Sequence, residues 1–177
     1  SRTFFDPSPI AVLRVTQVGL WETEATDAGM EHVKGITTLS RLCLDGTKVT
    51  DAGLTHLKGV ESLRILNLAN TNVTDAGLKH LKGMKNLLAL SLDGTQVSDA
   101  GLEHLAAFPR LNRLDLRVTP VTDRGIASLA RLTQLRDLNL ADTQLTDVGL
   151  AHLESLEHLE ILDLRQTAVS DAGVGSL

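Results

Sequence analysis

The sequence has very few aromatic residues and a single cysteine. Its 177 residues include three phenylalanines, one tryptophan and no tyrosine, so the core has to be built mainly from leucine, valine and alanine. Because Cys43 is the only cysteine, an internal disulfide framework and a cysteine-based zinc site are excluded. Apolar residues still make up 42% of the chain, which is enough for one domain with a sizeable core.

Long apolar runs and concentrated positive charge are also missing. The longest apolar run, around Leu87 to Leu92, is far too short to cross a bilayer, and no signal-peptide pattern is present. Lysines and arginines are scattered among acids, and the formal net charge is −5. Neither nucleic acid nor an anionic membrane is therefore expected as a partner. We expect a soluble chain whose compartment the sequence leaves open.

What the sequence does contain is one pattern repeated at a fixed interval. An Asp followed two positions later by a Gly recurs seven times, always with the spacing that separates Asp27 from Asp51. Because seven copies cannot all be one active site, the recurrence indicates a repeating scaffold. The pairs are Asp27/Gly29, Asp51/Gly53, Asp75/Gly77, Asp99/Gly101, Asp123/Gly125, Asp147/Gly149 and Asp171/Gly173.

Each copy also carries the pattern LxxLxL, as at Leu63, Leu66 and Leu68. The alternation at its end predicts a short strand with one buried face. A Thr shortly after the strand marks a turn, and a Ser or Thr followed by the Asp then stands where helix N-cap residues are preferred. The predicted unit is a strand, a turn and a short helix, in which each Asp caps its own helix.

The combined pattern LxxLxLxxTxV, repeated at this constant period, resembles the leucine-rich repeat. The TDAGLxHL portion is similar to the cysteine-containing subclass of F-box substrate adaptors and to bacterial repeat arrays, with Thr replacing the usual Asn or Cys. The resemblance implies an α/β fold, a right-handed solenoid with about seven parallel strands on its concave face and short helices on its convex face. Residues 15–177 would form seven units, the last one incomplete, and residues 1–14 would cap the first.

Three constant columns of the repeat could carry chemistry. The aspartates could form a calcium ladder, but helix capping explains them without a ligand. The glycines are expected to let each helix sit close to the sheet. A column of histidines could bind metal or sense pH, or could simply be exposed imidazoles beside the core. These are His32, His56, His80, His104 and His152.

The sequence shows no arrangement of residues for catalysis. It contains no nucleophile and base at a known spacing, no zinc motif and no cofactor loop. We therefore expect a protein that is not an enzyme, with no catalytic residues, no metal and no cofactor.

The positions between the leucines differ from copy to copy, and a specific binding surface is expected there. A small apolar zone at Ile65, Ala69, Leu88, Ala89 and Ser91 precedes a field of mixed charge. Arg and Trp are the types enriched at interface hot spots. The candidate partner-binding residues are Trp21, Arg41, Asp45, Ile65, Asn67, Asp93, Arg113, Asp115, Arg117, Asp137, Asn139, Asp163 and Arg165.

Two alternatives apply to this surface. The charges could pair with one another across adjacent strands and only solvate the sheet. Trp21 could belong to the N-terminal cap together with Phe4 and Phe5.

The predicted function is a non-catalytic protein–protein interaction module that binds an unidentified protein through its concave face. The alternative is a structural or spacer segment of a larger protein, with no ligand of its own. The last unit lacks a polar cap over residues such as Leu162 and Leu164, and solenoids need such caps for solubility. A longer array, or self-association through this C-terminal end, is therefore expected.

Overall fold

The repeats fold into one parallel sheet backed by short helices. The computed structural model describes residues 14–175, so the predicted N-terminal cap, including Phe4 and Phe5, lies outside the described residues except for Arg14. The seven strands follow one another in chain order across the sheet. They are β1 (Gln17–Gly19), β2 (Arg41–Cys43), β3 (Ile65–Asn67), β4 (Ala89–Ser91), β5 (Arg113–Asp115), β6 (Asp137–Asn139) and β7 (Ile161–Asp163).

The register of the sheet equals the period of the sequence. Leu42 of β2 pairs with Leu66 of β3, and Leu66 pairs in turn with Leu90 of β4. The two members of each pair lie one full period apart in the chain, as do the pairs between the other neighbouring strands. Every repeat therefore places the same positions on the same face, and the predicted α/β solenoid with seven parallel strands is confirmed.

Each strand leads through a turn into one turn of α-helix, as predicted. The helices are α1 (Asp27–Met30), α2 (Asp51–Leu54), α3 (Asp75–Leu78), α4 (Asp99–Leu102), α5 (Asp123–Ile126), α6 (Asp147–Leu150) and α7 (Asp171–Val174). Helices α2 to α6 continue directly into 3₁₀ turns at Thr55–Leu57, Lys79–Leu81, Glu103–Ala107, Ala127–Arg131 and Ala151–Leu153.

Leucine builds the core, which runs continuously between sheet and helices. Leu66, Leu68 and Leu78 are almost completely buried, as are their counterparts in the other inner repeats. Phe108 is the one fully buried aromatic side chain among residues 14–175. Leu20 and Leu164, in the first and last repeats, are only partly buried against this core. The inner repeats thus depend on both neighbours for their burial.

A residue in the left-handed backbone region follows each strand. Its N–H reaches the next repeat, as when Gly46 donates to the carbonyl of Ala69 at 2.9 Å. The Thr after it then folds back, so that the Thr47 hydroxyl donates to the Leu44 carbonyl at 2.6 Å. The left-handed residues are Glu22, Gly46, Asn70, Gly94, Val118, Asp142 and Gln166.

The recurring geometry of this turn overrides local preference at Val118. Its φ is 52°, a conformation that β-branched residues rarely adopt because the side chain crowds the backbone. The Val118 N–H nevertheless donates to the Ala141 carbonyl at 3.1 Å, the same bond that Gly46 makes. The backbone hydrogen bonds between repeats therefore stabilise Val118 in a conformation that is unfavourable for its side chain.

The Asp column joins each repeat to the next, so the expectation that each Asp caps its own helix is wrong. Asp51 accepts from the backbone N–H of Thr74 at 2.8 Å and from its hydroxyl at 2.6 Å. Thr74 is the residue that caps α3, since its oxygen accepts from the N–H of Ala76 at 3.3 Å. The bonded pairs are Asp27 with Thr50, Asp51 with Thr74, Asp75 with Ser98, Asp99 with Thr122, Asp123 with Thr146 and Asp147 with Ser170.

The Gly column exists because of this carboxylate. A Cβ built at Gly77 would overlap Oδ1 of Asp51, and the glycines of α2 and of α4 to α7 stand in the same relation to the Asp of the preceding repeat. Gly29 has no such neighbour among the described residues, and a Cβ there would meet open space. Core side chains also lie close, since a Cβ at Gly101 would be 2.7 Å from Cγ1 of Val97. Glycine is therefore required both for close packing and for room for the Asp side chain.

We predict that Asp51→Ala and Gly77→Ala are each destabilising and are not additive. Asp51→Ala removes two bonds to a carboxylate and should cost about 3 kcal/mol, whereas Gly77→Ala displaces that carboxylate and should cost about 2 kcal/mol. In the double variant the new methyl group occupies the emptied space. Its cost, measured by urea unfolding, should fall short of the sum by about 1 kcal/mol or more.

Gly83→Ala is the matched control, since a Cβ there meets nothing within 4 Å. It should change the free energy of unfolding by no more than about 0.5 kcal/mol. Strict additivity of the Asp51 and Gly77 substitutions would contradict the proposed steric relation.

Candidate functional site

The candidate residues lie on the exposed side of the sheet, facing away from the helices. Four of them open a strand, four close one, and five lie two residues after a strand. Adjacent strands are separated by about 4.8 Å, so β1 and β7 are roughly 29 Å apart along the sheet. Trp21, after β1, and Arg165, after β7, therefore cannot contact the same small ligand, and only an extended partner could reach both.

Each candidate arginine at the C-terminal half of the array pairs with a carboxylate of the chain. Nε of Arg113 lies 2.8 Å from Oδ2 of Asp137 on the neighbouring strand. Nη2 of Arg165 lies 2.5 Å from Oδ2 of Asp163 in its own repeat, while Nε of Arg117 lies 3.2 Å from Asp142 in the next turn. Cross-strand pairing, the alternative reading of these charges, thus describes Arg113.

Carboxylates and amides that close the strands have a local structural role. Oδ1 of Asp115 accepts the N–H of Arg117 at 3.1 Å, and Asn67 accepts the N–H of Ala69 in the same way at 3.0 Å. Asn67 also donates to Asp45 at 3.0 Å. These side chains are therefore fixed in position before any partner arrives.

Asp115 is an acid of the face whose pKa is raised. Burial raises the pKa of its carboxyl group, the bond from the Arg117 N–H lowers it, and the nearby Asp93 and Asp137 raise it further. Asp163 occupies the equivalent position on β7, but hydrogen bonds from Arg165 lower its pKa. The same repeat position therefore holds carboxylates in opposite electrostatic environments.

Trp21 and Cys43 lie near the first strands. Trp21 is 59% exposed, and its ring lies against Gly19, where a Cβ would overlap it. Cys43 is half-buried. Burial raises the pKa of its thiol, which Arg41 lowers and Asp45 raises. The thiol is therefore protonated at neutral pH and is a weak nucleophile.

The histidine column lies on the helix side of the array. His56 and His104 are half-buried, while His32, His80 and His152 are exposed. Burial, Lys82 and Lys79 lower the pKa of His104, so this imidazole is neutral at physiological pH. Within residues 14–175, no three His, Cys, Asp or Glu side chains form a group suited to a metal ion.

The apolar zone is smaller than the sequence indicates. Ala69 is buried, with 8% of its surface exposed, although Arg117 at the same repeat position is exposed. Ala141, at this position after β6, is also buried, but it borders the same surface depression as Arg117. The repeat pattern therefore gives the face of these positions but not how much of a small side chain its neighbours cover.

Sequence reasoning also missed several residues of this face. Asp142, the partner of Arg117, lies in a turn, and Arg64 and Arg136 precede strands but line the same surface depression as Ile65. The signal that could have found them is the repeat period itself, since positions just outside the strand also stack from repeat to repeat.

We predict that Asp115→Asn stabilises the protein at neutral pH. Asn67 and Asn139 show that an amide keeps the bond to the backbone N–H two residues on, while the substitution removes a charge that burial disfavours. The raised pKa means that the penalty is absent below the ordinary Asp value of 3.8 and grows as the pH rises through the folded-state value. The urea midpoint of the variant should exceed that of the wild type at pH 7, and the two should converge in acid.

Asp163→Asn is the matched comparison, because the pKa of Asp163 is lowered. It should reduce stability at pH 7, an effect that is lost as the pH falls. Equal shifts of both variants in the same direction would contradict this assignment.

Comparisons with known proteins agree with this architecture. A family model described as a leucine-rich repeat matches residues 61–82, 132–153 and 155–177. A search of curated proteins finds no significant match. No helix among the described residues has the length and apolar character needed to cross a membrane.

Two similar solved structures are internalins of Listeria monocytogenes strain 4b F2365. Internalin C2 is 27% identical, with a TM-score of 0.75 over 92% of this chain and 67% of its own. InlF is 21% identical, with a TM-score of 0.66 over 91% of this chain and 51% of its own. The chain thus spans about two thirds of the first protein and about half of the second.

The matched repeats, the periodic strand register and the similar folds agree, whereas none of them tests the F-box adaptor subclass, which stays a prediction. The three matched segments are leucine-rich repeats, and the described residues fold as an α/β leucine-rich repeat solenoid.

Proposed function

We propose that the array is a non-catalytic module that binds another protein through its concave face. The observation that carries this proposal is the separation of constant from variable positions. Residues that recur in every repeat are buried or join one repeat to the next, as Leu66 and Asp51 do. The residues that differ, such as Ile65, Asn67 and Arg113, share one accessible sheet surface.

The concave face is well suited to hold a protein segment without large rearrangement. Short strands and hydrogen-bonded side chains hold Asn67, Asp115 and Asn139 in place. Binding to such a surface loses less side-chain entropy than binding to flexible residues. Arg113, Arg117 and Arg165 are oriented by their carboxylate partners, and arginine is a residue type enriched at interface hot spots.

A second candidate function is a structural or spacer segment within a larger protein. The same ion pairs favour it, because Arg113 and Arg165 find their counter-charges within the chain and require no external ligand. In this case the variable positions only keep the sheet solvated.

The last repeat offers a further surface for proteins. Leu162, Leu164 and Val169 are only partly buried against the core, and Val174 is 55% exposed. We propose that this edge associates with a second copy.

Sedimentation velocity tests this self-association. The apparent mass of the wild type should rise with protein concentration, and that of Val174→Glu should rise less. A monomer whose mass does not depend on concentration would contradict self-association.

Charge reversal on the concave face tests the main proposal. The triple variant Arg113→Glu, Arg117→Glu and Arg165→Glu changes three exposed side chains and places new carboxylates beside Asp137, Asp142 and Asp163. If the face binds a protein, the variant should lose the proteins that the wild type captures from native extract, with a fall of roughly tenfold or more in affinity. Mass spectrometry identifies the captured proteins.

The control variant carries Lys58→Glu, Lys82→Glu and Arg131→Glu, three exposed positions on the helix side. It changes the net charge by the same amount and should retain the captured proteins. Capture that is equal for the wild type and the concave variant would exclude the concave face, and equal loss in both variants would indicate non-specific electrostatic attraction.

A further inference from the structure

We infer that one edge of the concave face binds an extended acidic segment of a partner protein that also carries aliphatic side chains. This inference rests on the proposed function and specifies the chemistry of the partner. The surface, called the basic edge below, lies where the strands begin. It is defined by Arg41, Arg64, Ile65, Leu88, Ala89 and Ile161.

The floor of the basic edge is apolar and accessible. Ile65, Leu88 and Ala89 are half-buried neighbours that line one shallow depression. Ile161 lines its far end and is 56% exposed. Exposed branched aliphatic side chains are stabilised when a partner covers them, at about 25 cal/mol per Å² of apolar surface removed from water.

Two cations beside this floor are available to a partner. Arg113 and Arg136 also line the depression, but Arg113 pairs with Asp137 and Arg136 pairs with Glu160. No carboxylate in residues 14–175 forms an ion pair with Arg41 or Arg64.

Arg41 and Arg64 lie side by side. The N–H of Arg64 donates at 2.8 Å to the carbonyl of Ser40, the residue that precedes Arg41. The backbones of these two residues therefore lie close together in adjacent repeats, at the edge of the sheet where the strands begin. Both are exposed, so an incoming carboxylate can meet them without the large desolvation cost of a buried charge.

The opposite edge of the concave face has the reverse charge. Where the strands end, carboxylates outnumber arginines, and their mutual proximity contributes to the raised pKa of Asp115. The two arginines of that edge, Arg117 and Arg165, are each already paired. The carboxylates are Glu22, Asp45, Asp93, Asp115, Asp142 and Asp163.

This separation of charge selects an acidic protein segment over a nucleic acid. A nucleic acid carries a phosphate charge at every nucleotide, and its backbone would approach the acidic edge of a chain whose net charge is −5. A peptide can place carboxylates at Arg41 and Arg64 and uncharged side chains elsewhere. The acidic edge then opposes the reversed or shifted placement of the same segment.

The dimensions fit a short extended segment that crosses the strands. From β2 to β7 there are five strand-to-strand steps, which span roughly 24 Å at about 4.8 Å each, or roughly seven extended residues at about 3.4 Å each. Such a segment would place its acidic residues near Arg41 and Arg64 and an aliphatic side chain on Ile65 or Leu88. A second aliphatic side chain would reach Ile161.

Binding of synthetic peptides tests this inference. The probe is a fluorescein-labelled peptide in which aspartate alternates with leucine, measured by fluorescence anisotropy with the whole chain. Two other labelled probes serve for comparison. One is a peptide in which lysine replaces aspartate, and the other is a single-stranded DNA of similar length. We expect the aspartate peptide alone to bind, with an affinity that falls as salt is added.

The decisive variant is Arg41→Glu/Arg64→Glu, with Lys58→Glu/Lys82→Glu as the charge-matched control on the helix side. The first should weaken binding of the aspartate peptide by roughly tenfold or more, and the control should not. Arg41→Lys/Arg64→Lys should retain most of the binding, because it keeps the charge and the surface while altering only the hydrogen-bond geometry. Circular dichroism verifies that each variant keeps its fold.

The other outcomes separate this inference from the broader proposal. Binding that is insensitive to Arg41 and Arg64 but is lost in Arg117→Glu/Arg165→Glu would overturn the basic edge and leave concave-face binding intact. DNA binding with the same dependence on Arg41 and Arg64, or no binding of the aspartate peptide, would also overturn the acidic-segment inference. If the aspartate peptide does not bind, the capture experiment with native extract decides whether the concave face binds proteins at all.

Discussion

The spacing of the repeats on the helix side depends on one bidentate contact. In it, an Asp carboxylate accepts hydrogen bonds from the N–H and the hydroxyl of a Thr or Ser in the following repeat. On the strand side, the backbone ladder alone fixes the distance between neighbours. Helices of a single turn have few backbone bonds of their own and make no such ladder. The contact from Asp51 to Thr74 therefore supplies on one side of the slab what the sheet supplies on the other. Glycine at the third helical position is the steric condition for it.

Much of the fold could be predicted because the sequence repeats it. A constant period gives the strand register directly, and LxxLxL identifies the buried positions without any knowledge of the three-dimensional structure. The role of the Asp column could not be predicted from the pattern. Within one repeat, Asp75 stands at a helix start and looks like a cap, and its true partner, Ser98, lies 23 residues further along. Only the stacked arrangement shows which way the carboxylate points.

The candidate site was predictable as a surface but not as a set of interactions. The outward positions of the strands follow from alternation, and Arg41, Ile65 and Arg113 lie where the pattern puts them. Ala69 shares the repeat position of Arg117 but is buried, because the pattern does not show how far neighbouring side chains cover a small residue. Cross-strand ion pairing was foreseen and describes Arg113, but the partner of Arg117 was not, since it is Asp142 in a turn and not a carboxylate on the neighbouring strand. Side-chain length and turn geometry decide that choice, and neither is visible in a repeat pattern.

The contact between Asp, Gly and Thr also bears on how such an array can change over generations. Its three participants are divided between two neighbouring units, so a gain or loss of one whole unit recreates the contact at the new junction, whereas a partial insertion leaves a carboxylate without its glycine. Mutation at any one of the three positions is constrained by the other two. Substitutions on the concave face leave these three positions untouched, so units with different concave residues can be joined through the same helix-side contact.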